Sequence, residues 1–285
     1  MDIINNLKYR FKNAGIVEQL IYANLAVFLL VFITNTFGFL FQADTNFLVE
    51  WFSLPANFNE FLSKPWTIVT YGFLHTSFLH ILLNLVALYY IGHLFKQYFT
   101  PKQLLNFYLL GTVFGGAIFI ASYNFFPALQ RVADHSVLLG ASAGISAIFI
   151  GIATYIPNYE LKFPLIGYVK LWILAIIWIA IDIIQIPAGN AGGHLAHIGG
   201  AIFGFFYVNQ ASNIKIDIFS KIATFFASKK KPLKTVHKTK KARKTNTEPH
   251  RNQEKIDHIL DKISKSGYDT LTKEEKAFLF QQGNK

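Results

Sequence analysis

The sequence predicts an all-α membrane protein: a six-transmembrane-helix bundle followed by a short basic tail and a helical hairpin. Three observations predict it. Hydrophobic residues make up 52% of the 285 and charged residues 15%, where a soluble domain carries about 25% charged. The apolar residues gather into segments near the length a bilayer demands, roughly 20 residues at the helical rise. The net charge of +11 is also unevenly placed: residues 1–228 hold 11 Lys/Arg and 9 Asp/Glu, residues 229–285 hold 16 and 7. The body is therefore nearly neutral and apolar, and the charge belongs to a tail. With Cys 0, disulfides, thiolate metal sites and a cysteine nucleophile are excluded.

Taken in order, the first apolar segment runs from Gln19 to Phe41 without a charged residue. It is longer than the apolar region of a signal peptide and no small-residue cleavage site follows it, so it reads as a retained helix. The next segments are Phe78 to Phe95, Leu104 to Tyr123, Leu139 to Ile156, Val169 to Ile186 and Gly193 to Val208. Helix-breaking residues punctuate the gaps: Lys64-Pro65, Thr100-Pro101, Pro127, Pro157-Asn158 and Pro187-Ala188-Gly189-Asn190. These limits divide the chain into an N-terminal segment 1–14, a membrane domain 15–212, a basic flexible linker 213–250 and a small hairpin 251–285.

Basic residues set the expected orientation. Lys8, Arg10 and Lys12 precede the first segment, Lys96 and Lys102 follow the second, and Lys162 follows the fourth. The alternate loops carry Asp44, Glu50, Glu60 and Asp134 against Lys64 and Arg131. Both termini are thus expected on the cytoplasmic side of a bacterial-type cell membrane, with segments two, four and six starting at the outer face. Residues 229–244 hold nine Lys/Arg and no acid, the pattern of a solvated linker lying near anionic lipid. No aromatic interleaving or recognised module accompanies them, so nucleic acid is not an expected partner. Ile256, Ile259, Leu260 and Ile263 then recur at helical spacing before Gly267, and Thr272-x-x-Glu275 forms a capping box.

Ionisable and strongly polar side chains are costly in a bilayer and are functional candidates by default. His80 and Asn84 share a face of segment two. Segment four opens with Gly140-Ala141-Ser142-Ala143-Gly144, and segment six with Gly193-His194-Leu195-Ala196-His197. If these segments start at one surface, His80, Asn84, Ser142 and His197 lie at a similar depth. Their chemistry is complementary. A serine hydroxyl needs a base to take its proton, a histidine has the pKa range to do so, and an oxyanion needs donors such as an Asn amide or a His ring. Small-xxx-small pairs, Gly140/Gly144 and Gly200/Gly204, allow segments four and six to approach closely. Helical spacing alone leaves His194 and His197 both available as the base.

On these strings the chain resembles the rhomboid family of intramembrane serine proteases. The matching motifs are His80-Ile81-Leu82-Leu83-Asn84, Gly140-Ala141-Ser142 and Ala196-His197-Ile198-Gly199-Gly200-Ala201-Ile202-Phe203-Gly204. The run Lys64-Pro65-Trp66-Thr67 through Tyr71-Gly72-Phe73-Leu74-His75 also resembles the family's approach to its second helix. The resemblance covers about residues 15–210 and implies a rhomboid-like six-helix bundle. It implies Ser142 as nucleophile and His197 as general base, a dyad without an aspartate. It further implies His80, Asn84 and the Ser142 N–H as oxyanion donors, no cofactor, and transmembrane segments of other proteins as substrates cut near their outer end.

Blander readings sit beside these. Ser142 alone reads as a packing residue. A metal cluster of His75, His80, His194 and His197 lacks a carboxylate and is not expected. Asp182 reads as a solvated residue near the outer end of segment five, or as an aid to wetting or gating. His93 and Asn24 have no evident converging partners and read as packing or interface residues. The functional alternative is a catalytically inactive relative that binds membrane clients.

Overall fold

The computed structural model describes residues 3–43, 47–164, 166–213 and 248–283. Asp44 and the basic stretch 229–244, both used above, lie outside the described residues, as does most of the proposed linker. The chain divides into two compact units, Met1–Ala227 and Ser228–Lys285.

In the first unit, α1 (Ile3–Asn13) leads into α2 (Ile16–Phe41). The short helices α3 (Phe47–Phe52), α4 (Phe58–Ser63) and α5 (Thr67–Thr70) follow, then α6 (Phe78–Lys96), α7 (Pro101–Phe125) and α8 (Pro127–Gln130). Next come α9 (Ser142–Tyr155), α10 (Leu171–Gln185) and α11 (Ala191–Asn213). Each of the six apolar segments therefore contains a helix. In lipid a segment must satisfy its own backbone N–H and C=O groups, which a helix does. Among the described residues, four stretches, Ile16–Phe41, Phe78–Lys96, Pro101–Phe125 and Leu171–Ala188, are long and apolar enough to cross a membrane. With these helices the protein is an integral membrane protein.

Helix starts follow local chemistry. Thr100 caps α7 through a reciprocal box with Gln103, with Pro101 in the first turn. The expectation of an all-α body needs one correction. Among the described residues, two small antiparallel pairs are present: β1 (Leu54–Pro55) with β2 (Val137–Leu138), and β3 (Glu160–Phe163) with β4 (Gly167–Lys170). The second is a hairpin where the sequence suggested only a loop; Gly167, at φ +87, helps turn it.

Helix α9 is the centre of the unit. Every residue from Ala143 to Ala153 is buried, and α7, α9 and α11 pack on one another most extensively. Lipid tails are as apolar as leucine, so close packing and hydrogen bonds hold such helices together. Gly200 and Gly204 of α11 face the backbone carbonyls of Ala143 and Ala147; a Cβ at either would collide with them. Gly144 faces α7 instead, where a Cβ would lie 2.6 Å from the Tyr108 carbonyl. The glycine pair expected on both helices is thus realised on α11, against alanines on α9.

Asn24 and His93 also have partners, contrary to the sequence reading. The Asn24 amide donates to the Tyr108 hydroxyl at 3.1 Å, and that hydroxyl donates to the Gly72 carbonyl at 2.8 Å. His93 Nε2 lies 2.9 Å from Glu18 Oε1. Both pairs link helices distant in sequence, which periodicity cannot reveal.

In the second unit, α12 (Glu248–Ser266) and α13 (Lys273–Gly283) are joined through Gly267 at φ +84. The expected box is present: Thr272 N–H donates to Glu275 Oε2 at 2.8 Å, and Glu275 N–H donates to Thr272 Oγ1 at 3.3 Å. Lys262 Nζ donates to Glu275 at 2.9 Å and holds that carboxyl below its ordinary range.

Candidate active site

Ser142 is the first residue of α9. The chain reaches it through Gly140, whose φ of +119 suits glycine and where a Cβ would meet the His80 ring at 2.7 Å. The turn is fastened from behind. Gly140 N–H donates to the Tyr71 carbonyl at 2.9 Å, and Ala141 N–H donates to His75 Nε2 at 3.4 Å. His75 is fully buried and packs edge-on against His80, with ring centroids 5.0 Å apart.

His197 lies two turns into α11, and Gly200, one turn further on, brings that helix against the start of α9. Its Nε2 is 2.6 Å from Ser142 Oγ. His80, Asn84, Ser142 and His197 all line one cavity of about 380 Å³, together with Trp178 and Asn190. The four residues singled out in the sequence therefore share one space. Asn84 Nδ2 donates one hydrogen to the His80 carbonyl at 2.8 Å, and an amide has a second to offer.

The reading of Asp182 as a solvated residue is overturned. Asp182 is 4% exposed, and its Oδ1 lies 2.8 Å from His197 Nδ1. Expected as a solvated residue, it is buried because α10 is held with one polar ridge inward. One turn earlier on that face, Trp178 Nε1 donates to Ser146 Oγ of α9 at 3.2 Å. His194 is not the residue on Ser142; its Nδ1 lies 2.8 Å from the same Asp182 oxygen. The four histidines considered as a cluster thus divide into two pairs, and an acid joins the second.

Asp182, His194 and His197 place three possible ligand atoms within 4.8 Å of one another. They are the described residues that could together hold a metal ion. Both Nδ1 atoms are at hydrogen-bonding distance from one carboxylate oxygen, and His197 Nε2 is engaged by Ser142. That is a hydrogen-bonded chain across α10, α11 and α9: carboxylate, imidazole, hydroxyl.

The family described as Rhomboid domain matches residues 62–212, more than half of the chain. A family of unknown function matches residues 241–282. RHOMBOID-like protein 12, mitochondrial, of Arabidopsis thaliana is 29% identical over 144 residues, 47% of this chain and 43% of that protein. Rhomboid protease GlpG of Yersinia pseudotuberculosis is 25% identical over 190 residues, 63% of this chain and 56% of its own. Rhomboid-like protein 16, chloroplastic, of Arabidopsis thaliana is 28% identical over 201 residues, 66% and 59% of the two chains. The matches therefore span about half the length of these relatives.

Proposed function

The chain belongs to the rhomboid family, and from that membership and the Ser142–His197 geometry we propose that it is an intramembrane serine endopeptidase. The carrying observation is the 2.6 Å approach of His197 Nε2 to Ser142 Oγ inside a cavity also lined by His80 and Asn84. Ser142 Oγ attacks the substrate carbonyl while His197 Nε2 accepts its proton. The developing oxyanion takes hydrogen bonds from the Ser142 N–H, the free hydrogen of Asn84 Nδ2 and the His80 ring. His197 then protonates the departing amine, and water in the cavity hydrolyses the acyl-enzyme.

The substrates of this reading are transmembrane segments of other proteins, cut near their outer end. The lining of the cavity supports it, because side chains that bind water are gathered within an otherwise apolar body. The length of α9 supports it too: 14 residues reach only about 21 Å at 1.5 Å per residue. A helix that short falls inside a hydrocarbon core of roughly 30 Å, so one end must stop beneath a surface. The wider organisation proposed is a six-span domain at 15–212 with both termini cytoplasmic, a basic linker near anionic lipid, and the hairpin 251–285.

The test is reconstitution into liposomes with a transmembrane substrate, comparing the wild-type chain with Ser142→Ala and His197→Ala. Both variants are expected to lose cleavage by at least about 10³-fold, as when a nucleophile or its base is removed from other serine proteases. Equal cleavage by all three proteins would overturn the reading.

A further inference from the structure

We propose that Asp182 is a positioning residue of this site, converting the pair Ser142–His197 into a chain of three groups; this rests on the serine-protease reading above. Neutral imidazole carries a hydrogen on one nitrogen only. An ionised carboxylate accepts but cannot donate, so the 2.8 Å contact from His197 Nδ1 to Asp182 Oδ1 puts the hydrogen on Nδ1. Nε2, 2.6 Å from Ser142 Oγ, is then the bare nitrogen that can take the serine proton. Once it has done so, the buried negative charge stabilises the imidazolium.

The surroundings argue against Asp182 as mere packing. Its helix presents mainly apolar side chains outward: Ile176, Ile177, Ile181, Ile183 and Ile184 are all exposed. A carboxylate buried in such a helix is expensive unless it is paired. Its hydrogen bonds come from two histidines, both on Oδ1, while Oδ2 is buried without a partner. Here one oxygen is aimed at His197, and His194, one turn earlier on α11, holds it there. One turn before Asp182 on the same face, Trp178 fixes the rotation of α10 through Ser146 of α9.

Asp182→Asn tests this in the full chain, reconstituted with a transmembrane substrate beside wild type and Ser142→Ala. Asn keeps the shape and an acceptor but removes the charge. The expected result is a kcat lower by roughly 10⁴-fold, the drop seen when the orienting aspartate of a serine protease is neutralised. KM should stay within about twofold, because uniform binding of substrate is untouched. The rate of fluorophosphonate labelling of Ser142 should fall in parallel, with the thermal unfolding midpoint unchanged. An Asp182→Asn protein with wild-type kcat and labelling rate overturns the proposal. So does a loss of activity that follows the loss of folded protein, or a raised KM at unchanged kcat, since either assigns Asp182 to packing. If Ser142→Ala itself cleaves like wild type, the protease reading fails first. If Ser142→Ala is inactive and Asp182→Asn is not, this proposal alone fails.

Discussion

His80 and Asn84 stand one helical turn apart on α6, and the wall they form faces Ser142 across the cavity. As the oxyanion donors of the proposed reaction, they would act on the transition state more than on bound substrate. Asn84→Ala and His80→Ala are therefore each expected to lower kcat by roughly 10²- to 10³-fold, the usual effect of deleting one such donor. Steady-state cleavage that separates kcat from KM is the check; a change in KM alone would make them substrate-binding residues. At this scale the sequence was informative because polar residues are so scarce in the body. Four of them were recognisable as one set from residue type and position along their helices. Asp182 was not, although a lone acid in an apolar helix is itself a signal. Near the end of its segment it resembled a residue in water, and its partner lay on another helix.

Helix α11 meets α9 through glycine on one side and backbone carbonyl on the other. Gly200 lies one turn beyond His197, so whatever widens that contact also draws the imidazole away from the serine. Gly200→Leu is expected to destabilise the protein by about 1–3 kcal/mol, as overpacking does, and to abolish cleavage. Ile202→Leu, on the same helix but 40% exposed, should change neither; a thermal melt in detergent and a cleavage assay compare the two. Helix positions were legible in the sequence from apolar runs and Pro punctuation. The faces were less so: α10 is apolar nearly all round, and no periodicity announces that Trp178 and Asp182 point inward. The β3–β4 hairpin was missed because it lies in a short interval broken by Pro157, Pro164 and Gly167, which reads equally well as a loop.

For the whole molecule, the division at Ala227 and Ser228 separates the candidate site from the C-terminal hairpin. Ser142, His197, Asp182, His80 and Asn84 all belong to the first unit. A chain ending at Ala227 is accordingly expected to retain cleavage within about threefold when reconstituted, as truncations outside a buried unit are tolerated. A larger loss would assign the tail a part in substrate capture or membrane placement.

The +11 charge and the apolar background belong to the sequence outright. Composition decides which solvent a chain can fold in, and charge position along the chain is read without coordinates. Helix existence is equally local, because a backbone in lipid must bond to itself. Membership of the rhomboid family was legible too, since motifs such as His80-x-x-x-Asn84 lie within single helices. The motif had already singled out His197; what only the tertiary structure decided is which groups flank its two ring nitrogens. That arrangement depends on the rotation of α10 and on how closely α11 approaches α9, and both are set by contacts between residues far apart in the chain. Asp182 changed from a solvated end residue to the acceptor for two imidazoles through such contacts alone.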